Sequence, residues 1–206
     1  MSLAERLHQS HGLDRRVRIL SAHLSDLLPA DARVLDVGCG DGTLAESLLS
    51  RRPDLTIVGI DVQVRDRVRI PVTEFDGRVL PLGDGSCDCV MLVDVLHHSD
   101  DPLQLLREAT RVARTHVVIK DHRRNGFLAE ATLRFMDNVG NRRFGVATPH
   151  NYWSHRQWQT AFRELGLEEI TWNQTLGLYP WPFGAIFDRS LHFLASLRRV
   201  QGRMAG

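Results

Sequence analysis

The chain has 206 residues, 43% hydrophobic and 25% charged, an ordinary globular make-up long enough for a full-sized core in one domain, residues 1–206. A formal net charge of +1 argues against the concentrated positive charge typical of nucleic-acid binders. Cys39, Cys87 and Cys89 neither pair off nor take a structural-zinc spacing. No long apolar segment follows Met1-Ser2-Leu3-Ala4-Glu5-Arg6, so the expected setting is a reducing cytoplasm.

Val17, Leu20, Leu24, Leu27 and Leu28 recur at helical spacing over residues 14–28, and Pro29 stops the run. This predicts an amphipathic helix over one face of a sheet. A strand over 33–37 then meets Gly38, Gly40 and Gly42, and a helix begins at residue 43 and runs to 51. Glycines permit positive φ and close approach by a ligand, and the helix start offers unpaired N–H groups. A second strand over 56–60 ends at Asp61, nineteen residues after Gly42. A glycine turn followed by an acidic strand end is the arrangement of a nucleotide site, the carboxylate accepting from a ribose diol.

Further along, residues 70–76 suit a short edge-like strand containing Pro71. Residues 88–96 are apolar on both parities, as in a central buried strand. A helix over 102–113 carries Pro102 in its first turn, and a fifth strand spans 115–120. A helix over 128–139 leads into a polar, aromatic loop, and Ser154 can cap a helix ending near Leu165. Residues 168–175 and 190–198 suit two final strands, although helical periodicity fits the second almost as well. The alternation predicts a doubly wound α/β sheet with right-handed crossovers, and residues 123–153 form a helix-and-loop insertion on the substrate side.

Val34 to Gly42, with Asp61, resembles the first motifs of class I S-adenosylmethionine-dependent methyltransferases. The resemblance is closest to the type 11, ubiquinone-methyltransferase-like group. Leu80-Pro81-Leu82-Gly83-Asp84-Gly85-Ser86-Cys87-Asp88-Cys89-Val90 resembles that group's LPF-D-SFD-V stretch, with Cys87 in place of the aromatic. Val95-Leu96-His97-His98 with Asp101-Pro102 resembles its fourth-strand ending. The likeness is strong over residues 30–120. It implies a seven-stranded, mostly parallel, Rossmann-like sheet whose last strand is antiparallel, with S-adenosylmethionine as cofactor.

Carried over by position, the resemblance implies a cofactor site. Asp36 helps to orient the methionine ammonium, while Gly38, Cys39 and Gly40 line the methionine and ribose. Asp61 takes both ribose hydroxyls and Val62 lies against adenine. Asp76 accepts from the adenine amino group, and Gly77 adds a backbone N–H. Val93 and Asp94 face the methionine end, and His98 borders the substrate.

An oxygen or carbon acceptor often needs a general base, and a histidine fits. His122 at the end of the fifth strand is the first candidate, followed by His98 and His150, with Asp121 orienting or assisting. An acceptor pocket is expected from the 127–153 segment and the 178–183 connection. Phe135, Met136, Phe144, Tyr152, Trp153 and Trp181 supply its apolar wall, and Asn141, Arg142, Arg143 and His150 its polar anchors.

Other readings compete for these residues. A dehydrogenase would space its glycines GxGxxG and keep carboxylates away from the pyrophosphate, whereas Asp36 and Asp41 crowd this turn. His97, His98, Asp100, Asp101 and His122 include metal-ligand types, but adjacent histidines on a strand point to opposite sides, so no metal is expected. The Arg65 to Arg69 run is interrupted by acid and read as a solvated face. A non-catalytic cofactor-binding or protein-interaction member is the cross-class alternative. DNA is not expected as a partner, and RNA lacks a supporting basic patch. No spanning segment is expected; residues 183–197 could touch a membrane surface or a quinone precursor, against the preferred terminal β-hairpin. The expected acceptor is a small, partly apolar metabolite.

Overall fold

The structure, a computed structural model, describes residues 3–126, 128–141, 149–188 and 190–200. In chain order the elements are α1 (Leu3–Ser25), β1 (Arg33–Val37), α2 (Thr43–Arg51), β2 (Thr56–Asp61), β3 (Val72–Glu74) and β4 (Cys87–Val93). A 3₁₀ turn (Leu96–His98) leads to α3 (Pro102–Val112) and β5 (Ala113–His122). Then come α4 (Ala129–Asn141), α5 (His155–Glu164), β6 (Leu167–Asn173), α6 (Gly184–Phe187) and β7 (His192–Arg199).

The seven strands form one sheet in the order β3-β2-β1-β4-β5-β7-β6. The first five are mutually parallel, and β7 runs antiparallel to both β5 and β6. Side chains alternate across each strand, so each central strand feeds two cores. Val90, Leu92, Val117, Ile119 and Phe193 meet α3 and α5 around Trp158 and Phe162. Val34, Met91, Val118 and Leu194 meet α1 and α2 around Leu20, Leu24, Ala45 and Leu48. Burial on both sides explains the near-continuous apolar runs of β4 and β5.

Several boundaries depart from the sequence reading, each for a local reason. Helix α1 begins at Leu3, well before the apolar stripe that marks its second half. Strand β3 is an edge strand and Pro71 lies just outside it, its carbonyl accepting from Gly59 N at 2.9 Å. Strand β4 ends at Val93 because Asp94 takes φ 57°, turning Val95 and Leu96 out of the sheet into the 3₁₀ turn. Strand β5 runs on through Asp121 and His122, which pair with Phe193 and His192 of β7. Residues 192–199 are a strand and not a helix, with Phe193, Leu194, Ala195 and Leu197 all buried. Among the described residues no helix is long and apolar enough to cross a membrane.

Helix ends follow their sequence signals. Asp101 caps α3 by accepting from Gln104 N at 3.0 Å, with Pro102 in the first turn. Ser154 and Gln157 form a reciprocal capping box on α5. Helix α1 is tied down by Ser47 Oγ and Arg51 Nε, which donate to Ser21 Oγ at 3.0 and 3.1 Å. Arg15 and His23 of α1 reach the carbonyls of Gly177 and Leu176, each at 3.1 Å. The helix is thereby held over the carboxyl ends of the strands.

Candidate active site

A cleft of about 570 Å³ opens between α1, the glycine turn and the end of β4. Its floor is Asp36, Gly38, Cys39 and Gly40, with Thr43 and Leu44 at the start of α2. Arg16, Val17 and Leu20 of α1 form one wall, Arg65 and Arg67 stand on another side, and Val93 and Asp94 close the far end. This is the position, beyond the carboxyl ends of parallel strands, where open α/β sheets hold ligands.

Backbone geometry shapes the floor. Gly38 N and Cys39 N both donate to Ile60 O, at 2.7 and 3.3 Å, folding the turn onto β2. Gly38 has φ 70°, and a Cβ there would stand 2.6 Å from Val95 Cγ2, so only glycine fits without displacement. Asp61 accepts from Gly40 N at 2.8 Å and Gln63 N at 3.1 Å, which fixes its carboxylate against the turn.

Asp36 is only 3% exposed, yet no hydrogen bond among the described residues reaches its carboxyl. Burial, reinforced by the charge of Asp61, pushes its pKa up to about 8. A cationic group entering the cleft would supply the partner that this carboxyl lacks. Burial, then Asp36 and Asp61, push the Cys39 thiol up to about 12, so it is a packing group and not a nucleophile.

The other expected cofactor residues lie beside the cleft and do not line it. Val62 is exposed and Gly77, at φ 78°, faces it: a Cβ on Gly77 would be 3.1 Å from Val62 Cγ1. Asp76 is exposed, and its Oδ1 accepts from the amides of Val79 and Arg78, both at 2.8 Å. Those two bonds hold its carboxyl below the usual range.

The far end of the cleft is ionic. Asp94 is clamped between Lys120 and Arg16, and its backbone N–H donates to Lys120 O at 2.8 Å. Lys120 is fully buried, with His192 Nδ1 3.4 Å from its Nζ. Burial disfavours the charge of Asp94, but Lys120, Arg16 and His122 together hold its carboxyl well below the usual range. Burial, His97, Lys120 and His192 push His122 well below the usual imidazole range. Neither group is a strong base.

Asp121, expected to orient or assist His122, lies beside it. Its carboxylate also faces the 3₁₀ turn. Its Oδ1 contacts His97 Nδ1 at 2.6 Å and accepts from the His122 backbone N–H at 2.6 Å, while Oδ2 accepts from Leu96 N at 3.0 Å. The His122 ring nitrogen Nδ1 is 3.8 Å from Asp121 and 3.3 Å from His97 Nδ1.

The remaining predicted residues divide. His98, half-buried, packs on His97 with ring centroids 3.9 Å apart. Tyr152 packs against His97 and His122 at 5.7 and 6.0 Å and meets His150 Nδ1 at 3.1 Å. Trp153 packs instead on the core residue Trp158, at 4.8 Å. Trp181 is 88% and Phe135 59% exposed, so neither walls an enclosed pocket; Met136 is half-buried. Arg142, Arg143, Phe144 and the side chain of Asn141 lie outside the described residues.

The sequence reading missed Arg16, Val17 and Leu20, because an apolar stripe on a helix reads as core. The Arg65 to Arg69 run read as a solvated face includes the exposed Arg67, and Arg65 and Arg67 also border the cleft.

A family model described as a methyltransferase domain matches residues 9–171. The chain belongs to this methyltransferase domain family. It is 31% identical over 121 residues to 27-O-demethylrifamycin SV methyltransferase of Amycolatopsis mediterranei, covering 52% of this chain and 44% of the relative. It is 34% identical over 102 residues to a ubiquinone biosynthesis O-methyltransferase of Xanthomonas axonopodis, covering 45% and 41%. The chain thus spans less than half the length of these curated relatives. The solved structure of an S-adenosylmethionine-dependent methyltransferase from Thermotoga maritima shares the fold, with TM-score 0.67, 21% identity and coverage of 95% and 96%.

Methyltransferase membership and this fold imply S-adenosylmethionine as the methyl donor. The residues present fit it. Asp36 offers a nearly buried carboxyl without a hydrogen-bonding partner to a cation, Gly40 bears no side chain at the floor, and Asp61 is already oriented by two amides.

Proposed function

We propose that this chain transfers a methyl group from S-adenosylmethionine to an oxygen or carbon of a small, partly apolar metabolite. The observation that carries this reading is the cleft itself. One end is a glycine turn with two carboxylates, and the other is the Lys120–Asp94–Arg16 ion cluster.

The bound sulfonium supplies an activated methyl group, so the protein mainly positions an acceptor and excludes water. Asp61 would take the ribose hydroxyls and Asp36 the ammonium, with Val62 and Gly77 bordering the base. Val17, Leu20, Leu44 and Val93 give the cleft an apolar lining.

The weakness of Asp94 and His122 as bases favours an acceptor whose hydroxyl ionises readily, a phenol or an enol. Arg16, which lines the cleft, would stabilise such an oxyanion electrostatically. An enolate presents carbon as well as oxygen. The names of two relatives point to oxygen as the atom those proteins methylate, which supports oxygen here.

The test is transfer of labelled methyl from S-adenosylmethionine to a panel of small phenols, enols and amines. Labelled phenol or enol ethers, or carbon-methylated enols, are the expected products. Labelling confined to amines would overturn the acceptor class, and no binding of S-adenosylmethionine would overturn the donor.

A further inference from the structure

The polar cluster at the far end of the cleft contains more than the proposed transfer requires. Asp94, His97 and His122 each present a donor atom, and the three atoms lie within 4.8 Å of one another. His122 Nδ1 stands 3.3 Å from His97 Nδ1 and 3.8 Å from Asp94 Oδ1. Donors bound at about 2.0–2.1 Å to a tetrahedral ion stand roughly 3.3 Å apart. The two histidine nitrogens already have that spacing, and the Asp94 oxygen, 3.8 Å from His122 Nδ1, would close in on the ion.

One further feature suits a metal ion. His97 and His122 are buried while Asp94 keeps 18% side-chain exposure, so the set is shielded but borders the cleft. Asp121, fixed by the amides of Leu96 and His122, contacts His97 Nδ1 and sets the orientation of its ring. That contact uses the same Nδ1 atom that faces His122, so an ion taking this nitrogen displaces Asp121 from it. The adjacent-histidine objection fails here because His97 and His98 sit on a 3₁₀ turn and not on a strand. Asp100 and Asp101 take no part: Asp100 is exposed near Arg78, and Asp101 caps α3.

We propose that Asp94, His97 and His122 form a binding site for one divalent transition-metal ion. Two imidazoles and a carboxylate suit zinc, cobalt, nickel or ferrous iron better than magnesium or calcium. Lys120 and Arg16 now occupy Asp94, so an arriving ion exchanges with Lys120 for that carboxylate. On the acceptor chemistry proposed above, on which this consequence rests, the ion would take the acceptor hydroxyl as a further ligand. It would lower that hydroxyl's pKa, the proton leaving to water.

The full chain, stripped with a chelator, is titrated with cobalt(II) chloride and separately with zinc chloride, each without S-adenosylmethionine. Calorimetry and the visible spectrum of bound cobalt are the readouts. One equivalent should bind, and His97→Ala and His122→Ala should each weaken binding at least about tenfold, as loss of ligand-sphere groups does. His155→Ala, at an exposed histidine, should leave it unchanged. Absence of binding to the wild-type protein overturns the site, as does equal affinity in the His97 and His122 variants. S-adenosylmethionine binding is measured on every protein, which checks that the variants fold. Metal failure with intact cofactor binding overturns this site alone, whereas loss of cofactor binding by the wild type overturns the donor reading.

Discussion

The two ends of the cleft are built differently. The glycine-turn end comes from a short stretch of chain, residues 36–44, with Asp61 brought alongside by the next strand. The opposite end draws Arg16 from α1, Asp94 from the end of β4, Lys120 and His122 from β5, and His192 from β7. The first end is mostly backbone, with one carboxyl left without a hydrogen-bonding partner. The second is side chains that neutralise one another. A local, backbone-built site can be moved through a family as a motif; a site assembled across the fold depends on every element that reaches it.

That contrast can be broken or sharpened by experiment, and the largest effect belongs to the assembled end. Lys120→Met removes the buried partner of Asp94 and should cost about 3–5 kcal/mol of stability in urea unfolding, the usual result of stranding one member of a buried ion pair. A loss below about 1 kcal/mol would show that Arg16 alone satisfies Asp94.

Asp36 makes the next prediction, through pH. Its folded pKa of about 8 lies above the ordinary 3.8, so the unfolded chain gives up this proton first. The stability contribution is fully present below pH 4 and is lost as pH rises toward 8, at about 1.4 kcal/mol per pH unit. Asp36→Asn should flatten that part of the stability profile without S-adenosylmethionine. An unchanged slope would show that Asp36 is already ionised.

Gly38→Ala should cost about 1–3 kcal/mol, since it combines a left-handed backbone with a Cβ 2.6 Å from Val95. Thermal unfolding reports it, and a neutral result would mean that Val95 yields. The smallest effect is expected for Trp181→Ala. This side chain is 88% exposed, so stability should change by no more than about 0.5 kcal/mol and acceptor KM should not move. A raised KM would restore the 178–183 connection to the acceptor site.

Legibility in the sequence followed the same division. Glycine spacing, the strand-end Asp61, the alternating apolar runs and the cap at Ser154 are local signals, and the strands and helices they indicate are present. The path of β4 was misjudged because Val95 and Leu96 are as apolar as the strand before them, and only the positive φ of Asp94 ends it. That turn swings His97 toward Asp121 and His122, a juxtaposition that residue spacing does not reveal. Arg16 was hidden for a related reason: nothing in a helical stripe tells which turn overhangs the strand ends. Lys120 and Asp121 were noticed at the crevice, but their partners come from elements 26 and 24 residues away in sequence.

Calorimetric titration of S-adenosylmethionine into the wild-type chain and Asp61→Ala tests the central claim most directly. The account predicts one site in the wild type and at least about tenfold weaker binding in the variant, where the ribose diol loses its fixed acceptor. Equal affinity in the two proteins would contradict the assigned cleft.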